Sequence, residues 1–212
     1  MPTPGILMRL SDAPNIPLNL PASVKVEASY ALEADDNKTP SLNTLYFLAD
    51  IEPLLTSEAP YKVDVAAHAQ ASTSTTTSWV LASFINARNP GSTSAFTQTQ
   101  LLPAPPSPSS VLVINGSTPR PEYEADYHAW YDEEHGGKLT LVPGWFASRR
   151  YKLAKVYGET ETANFYGVNF YEKENGLGGP EWKAGVTEWT LRIRKQAARE
   201  NVRRVWRVAA DQ

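Results

Sequence analysis

Apolar and polar positions change period several times along the chain. SSVLVING (109–116) is a short apolar run closed by Asn-Gly, the pattern of a buried strand. EYEADYHAWYDEEHG (122–136) repeats its aromatic positions at spacings of three and four. It follows Pro121 and meets Gly136-Gly137, so the pattern predicts a helix that stops there. GWFASRRYKLAKVYG (144–158) and ETANFYGVNFYEK (161–173) are aromatic and partly alternating, which predicts strands. GLGGPEWKAG (176–185) predicts a turn and a short helix. TEWTLRIRKQ (187–196) fits either period, and NVRRVWRVAA (201–210) alternates as a strand. The order β-α-β-β-α-β predicts an α+β, ferredoxin-like unit, a sheet with helices on one face.

The first half echoes these pieces in the same order. GILMRL (5–10) matches SVLVIN, PASVKVEASYAL (21–32) matches PGWFASRRYKL, and NTLYFLADIEPL (43–54) matches NFYGVNFYEKENGL. EAPYKVDV (58–65) matches GPEWKAGV, and SWVLASFINA (78–87) takes the place of the last strand. Between them lies TQLLPAPPSPSS (99–110), whose four prolines at 103–108 preclude a helix or a central strand. ASTSTTTS (71–78) reads as a loop or a solvated strand. The expected division is a degenerate unit over 1–100 and a complete unit over 101–212. Pro14, Pro17 and Pro21 crowd the short stretch between Leu10 and Val24, so the first unit is expected to lack its long helix.

Composition narrows the classes. Of the 212 residues, 42% are hydrophobic, enough for a sizeable core. The formal net charge of −3 gives no reason to expect a nucleic-acid partner. There is no cysteine, which excludes disulfides, thiolate nucleophiles and cysteine-ligated metal. Neither a signal peptide nor a run of about twenty apolar residues is visible, so a cytoplasmic protein without a membrane partner is expected.

The predicted helix carries the candidate chemistry. YEADYHAWYDEEHGGKL (123–139) holds two of the three histidines, three of the ten tyrosines and one of the six tryptophans. At about 100° per residue, His128, Tyr131, Asp132 and His135 fall on one face, with Tyr123, Tyr127 and Trp130 beside them. Glu122 and Glu124 suit the positive start of the helix. A histidine can serve as a base near neutral pH, and Asp132 bonded to its other nitrogen would fix the tautomer. Tyr127 and Tyr131 could hold a phenolic or enolic oxygen. His135, nearest the helix end, is slightly preferred as the base, although a helix C-terminus also favours the charged imidazolium. Histidines near helix termini among so many acids also commonly pair on the surface. His128, Asp132 and His135 are chemically able to bind metal, but three ligands on one straight helix converge poorly, and no metal is expected.

At this stretch the sequence resembles the EthD-like members of the dimeric α+β barrel superfamily, especially fungal ones. The matching pieces are DYHAWYDEEHGGKLTLVPGWFASRRYKL, NFYGVNFYEK, GPEWKAGVTEWT and VRRVWRV. The motif positions are Tyr127, His128, Trp130, Tyr131, Glu134, His135, Lys138, Leu139, Pro143, Gly144, Arg149, Arg150 and Tyr151. Gly137 stands where proline is expected and Lys138 where arginine is common, which weakens a bidentate anion contact. The resemblance implies two ferredoxin-like units closing a barrel within one chain, as a monomeric pseudo-dimer or a homodimer. Ligands would enter between helix and sheet or into the barrel. Trp130, Lys138, Phe146 (or Ser148), Tyr151, Phe165 and Trp182 would touch substrate, with Phe170 or Tyr171, Trp189 and Trp206 as further candidates. It also implies chemistry without a cofactor on an aromatic or polyketide-like small molecule. Proton abstraction beside a carbonyl would lead to cyclisation, dehydration or lyase action. The alternatives are monooxygenation of a phenol or anthrone without a cofactor, and a non-catalytic binding or assembly protein.

Overall fold

The computed structural model describes residues 1–13, 16–71, 77–91 and 100–210. Eight strands form a closed barrel: β1 (Gly5–Ser11), β2 (Val26–Ala34), β3 (Leu42–Leu48), β4 (Thr77–Arg88), β5 (Val111–Ser117), β6 (Trp145–Tyr157), β7 (Phe165–Tyr171) and β8 (Val202–Val208). Their order around the barrel is β1-β3-β2-β8-β5-β7-β6-β4, and every pairing is antiparallel. The first four strands therefore run 4-1-3-2 and the last four, read the same way, run 8-5-7-6. The two halves meet at two seams of unequal length. β4 and β6 pair from Trp79–Tyr157 to Arg88–Ser148, whereas β2 and β8 pair only at Leu32–Val208, Glu33–Arg207 and Ala34–Trp206. Arg204 on Asp36 and Arg207 on Asp35 brace the short seam.

The strand period of two sorts side chains into an inside and an outside. Ile6, Met8, Leu45, Phe47, Leu112, Val168, Phe170 and Trp206 point inward and fill the barrel with Tyr30, Tyr151 and Tyr166. Each of the larger apolar groups contributes roughly 1.5–3 kcal/mol by leaving water. The interior is thus a packed core, not a channel. Arg149 also points inward and is fully buried. Its guanidinium donates to the carbonyls of Gln100 and Leu101, and to those of Arg88 and Ser148, so it pins the crossover between the halves.

Outside the barrel lie α1 (Glu52–Thr56) and α2 (Ala59–Ala71) in the first half. The second half has α3 (Glu124–Trp130), α4 (Gly136–Leu139), α5 (Pro180–Ala184) and α6 (Glu188–Gln196). No helix occupies the described residues between β1 and β2, as the prolines there predict. The ambiguous 187–196 segment is a helix because Thr187 caps it, accepting from the Thr190 N–H, while Thr190 and Ile193 bury on one side. Two expectations fail. Asn115-Gly116 does not end a strand but lies within β5, where a Cβ on Gly116 would crowd Ala163. Gly136-Gly137 does not stop the helix either. The chain passes through a 3₁₀ turn (Pro121–Tyr123), α3, a π turn (Tyr131–His135) and then α4. Gly136 is required in this path because a Cβ there would meet the Tyr131 carbonyl at 2.8 Å and the Arg88 guanidinium at 3.1 Å. Of the 71–78 stretch, Ala71 ends α2 and Thr77 and Ser78 begin β4, while positions 72–76, like position 99 of the 99–110 seam, lie outside the described residues.

Candidate functional site

The long helix lies across the outer faces of β6 and β7. Tyr127, Trp130, Tyr131 and Leu139 bury against Phe165 and Ile193. Gly167 on β7 makes the close approach possible, since a Cβ there would stand 2.6 Å from the Tyr131 hydroxyl. Between helix, sheet and α5–α6 remains a cavity of about 630 Å³. Its walls include Tyr127, Trp130, Tyr131 and His135 from the helix. Val113, Asn115, Asn169 and Tyr171 come from the sheet, and Trp182, Thr190 and Ile193 from the covering helices. Arg199, Glu200 and Arg203 stand at its polar end.

The π turn decides which histidine reaches this space. In it the Gly136 N–H donates to the Tyr131 carbonyl, a span of five residues, and the wider turn rotates everything that follows. The single face expected to carry His128, Asp132 and His135 is therefore split. His135 turns into the cavity, where its ring stacks on Trp130 at 4.1 Å and meets Tyr131 edge-on at 5.5 Å. His128 and Asp132 do not line the cavity and bind one guanidinium. Arg150 donates to Asp132 Oδ1 at 2.6 Å and to His128 Nδ1 at 2.7 Å. Asp132 consequently does not orient a histidine, because Arg150 takes its carboxylate. The three residues do not converge as metal ligands, and no metal-binding group exists among the described residues.

The two histidines differ chemically for the same reason. Arg150 can only donate, so it occupies the Nδ1 lone pair of His128 and leaves the proton on Nε2, 3.8 Å from Glu124. Burial, then the Arg150 charge, hold the His128 pKa below the usual histidine value. His135 is more deeply enclosed, and burial pushes its pKa down to about 4. The Gly185 carbonyl, bonded to the ring, opposes this shift. Nδ1 of His135 is buried without a partner, so the bond to Gly185 belongs to Nε2–H. At neutral pH the ring is uncharged, and the Nδ1 lone pair is buried and unpaired.

Two phenols, Tyr127 and Tyr131, border the same cavity. Asn169 Nδ2 donates to the Tyr131 oxygen at 3.5 Å, which leaves the tyrosine proton available. Burial raises the Tyr131 pKa and pushes that of Tyr127 up to about 12, so both stay protonated. Arg150 lies 4.3 Å above the Tyr131 ring, and its charge acts in the opposite direction on both phenols. Asn169 Oδ1 is buried and unpaired. An uncharged base, a phenolic donor and an unsatisfied amide thus border one aromatic-walled space.

The other expected contacts are dispersed. Trp130 and Trp182 line the cavity. Phe165 packs under the helix against Tyr127 and His128 without lining it. Phe146 and Tyr151 face the barrel interior, because a bulge between Trp145 and Ala147 sets the parity of β6. Lys138 is half-buried on α4 and does not line the cavity. Asn115, Asn169 and Thr190 escaped the sequence reading. Their signal was a polar residue at a cavity-facing position of an otherwise apolar strand or helix.

No protein-family model and no curated protein sequence matches the chain. Solved structures do. An anthrone oxidase-like protein superposes with a TM-score of 0.61 at 13% identity, over 99% of this chain and 94% of that one. A candidate monooxygenase from Fusobacterium nucleatum gives 0.55 at 9% identity, covering 98% and 93%. A third, from Lactobacillus acidophilus, gives 0.50 at 10% identity, covering 98% and 97%. This chain therefore shares their α+β barrel fold over nearly its whole length. The narrower EthD-like resemblance has no family-model match behind it.

Proposed function

We propose that this protein is an enzyme that takes a proton from an aromatic, carbonyl-bearing small molecule, with His135 as the base, and passes the resulting anion to molecular oxygen. The observation that carries this reading is the unpaired Nδ1 of an uncharged His135, buried beside the Tyr131 ring at the wall of a cavity lined by aromatic rings. Nδ1 accepts the proton from a C–H group conjugated with the carbonyl. The C–H electron pair moves toward the carbonyl oxygen, to which Tyr131 donates. The electron-rich anion then reduces oxygen and forms a carbon-bound peroxide. Loss of water from it leaves a new carbonyl, with the His135 proton leaving in that water. The sum is CH₂ plus O₂ giving C=O plus H₂O.

Oxygenation is favoured over cyclisation, dehydration or lyase action by the names of the fold neighbours, an anthrone oxidase-like protein and two candidate monooxygenases. The proton abstraction itself serves either outcome. The same strand order in both halves supports a tandem of ferredoxin-like units, 1–100 and 101–212, the second with the helix that builds the cavity. One chain then supplies the whole barrel.

With anthrone as the probe, an oxygen electrode should record about one oxygen consumed per probe oxidised, above the spontaneous rate, in the mass balance just given. His135→Gln should return uptake to the spontaneous rate. Conversion that continues without oxygen would assign cyclase or lyase chemistry instead. Tight binding without conversion of any carbonyl-bearing aromatic would leave a binding protein.

A further inference from the structure

We infer that the first half carries a second small-molecule site, built around His68 and suited to a neutral, hydroxyl-bearing aromatic. A cavity of about 390 Å³ lies there, bordered by Arg9, Ser11, Leu42, Thr44 and His68. It occupies the outer face of β1 and β3, on the side that the missing helix would cover. In the second half the large cavity lies over β5 and β7 in the same manner. The registers make the correspondence explicit. Arg9 on β1 sits between Thr44 and Trp79, and Asn115 on β5 sits between Gly167 and Arg203. Two residues on, Ser11 and Ser117 again match, and both serines line their cavities.

The polar groups of this second cavity form a built arrangement. Asp64 accepts from Arg9 Nε at 3.0 Å, from Arg9 Nη2 at 2.6 Å and from Trp79 Nε1 at 2.7 Å. Arg9 Nη1 donates to the Ile16 carbonyl. The arginine charge is thus matched by a bidentate carboxylate, with both side chains almost completely buried. His68 is 1% exposed, and its Nδ1 lies 2.9 Å from the Asp64 backbone carbonyl. A carbonyl only accepts, so Nδ1 holds the ring proton and Nε2 offers its lone pair. No described residue bonds to Nε2.

These features select the ligand class. An acceptor with no donor calls for an O–H or N–H group. The neutralised Arg9 and the exposed Glu33 at the rim disfavour an anion. Ala13, Ala31, Leu42 and Ala209 provide small apolar walls for a ring. The site does not depend on the reaction assigned to the larger cavity.

The chain has three histidines, so long-range ¹H–¹⁵N spectra of the intact protein resolve each ring. Titration with 2-naphthol should shift the Nε2 resonance of His68, whatever the His135 signals do. Nuclear Overhauser contacts should run from the probe to the His68 ring and the Thr44 methyl. His68 signals that stay fixed to the solubility limit of the probe, or contacts confined to His135, would overturn the second site. Sodium 2-naphthoate should leave His68 unmoved, and an equal shift with it would overturn the neutral-ligand assignment. Thr44→Phe, checked for folding by circular dichroism, should abolish the His68 shift. A folded variant that keeps the shift would also contradict the proposal.

Discussion

His135 and His128 are seven residues apart, yet Nδ1 is unpaired in one and taken by Arg150 in the other. His135→Gln should therefore lower turnover by roughly 10²–10⁴-fold, the usual contribution of a positioned base. His128→Ala should leave most of it, and equal losses from both in steady-state assays would contradict the assignment. With a free-enzyme pKa of about 4, the acid limb of kcat/KM should lie near pH 4, well below an ordinary histidine. The same shift links to stability. Between about pH 6.5 and 4 the unfolded chain binds a proton at this residue and the folded chain does not. Stability must fall as pH falls through that window, by about 3 kcal/mol in all from this group. Urea melts across the window should show a shallower pH slope for His135→Gln than for the wild type. At this scale the sequence singled out the segment from which Tyr127, Trp130, Tyr131 and His135 line the cavity, but little of the remaining wall. It could not show that Arg150, distant in sequence, would capture both Asp132 and His128, because that depends on the packing of β6 against the helix.

At the scale of elements, the π turn and the close contact between helix and β7 place the site. Gly167 leaves room for the Tyr131 hydroxyl, so Gly167→Ala should overpack the contact and cost about 1–3 kcal/mol. Tyr131→Phe removes the atom that an added Cβ would strike at 2.6 Å. The double variant should then lose less than the sum of the single losses, measured by denaturant melts. Strict additivity would mean that the helix sits further from the sheet. Strand and helix positions over 109–210 were readable from period and from Pro121. The π turn was not, since its sequence keeps ordinary helical spacing and the widening answers the approach of Arg88 to Gly136. TEWTLRIRKQ was ambiguous because its helix depends on the Thr187 cap and on burial of Ile193 beneath the neighbouring helix.

At the scale of the whole molecule, the barrel closes through β4–β6 and β2–β8, so neither half completes its sheet alone. A 101–212 fragment would bare the edges of β6 and β8 and the inward faces of Tyr151, Phe170 and Trp206. It should self-associate on size-exclusion chromatography, and a stable monomer would contradict mutual closure. The ordered echoes between halves made the strand sequence of the first half legible. They did not reveal that the two seams differ in length, because register across a seam is set by bulges and braces. Proton abstraction in the larger cavity is the central step, and its most direct test needs no oxygen. Anthrone in deuterated buffer under nitrogen can be followed by NMR for exchange of its methylene hydrogens. The wild type should accelerate that exchange by roughly 10²–10⁴-fold over an equal concentration of His135→Gln protein. Equal acceleration by both proteins, or none by wild type shown to bind the probe, would contradict His135 as the base.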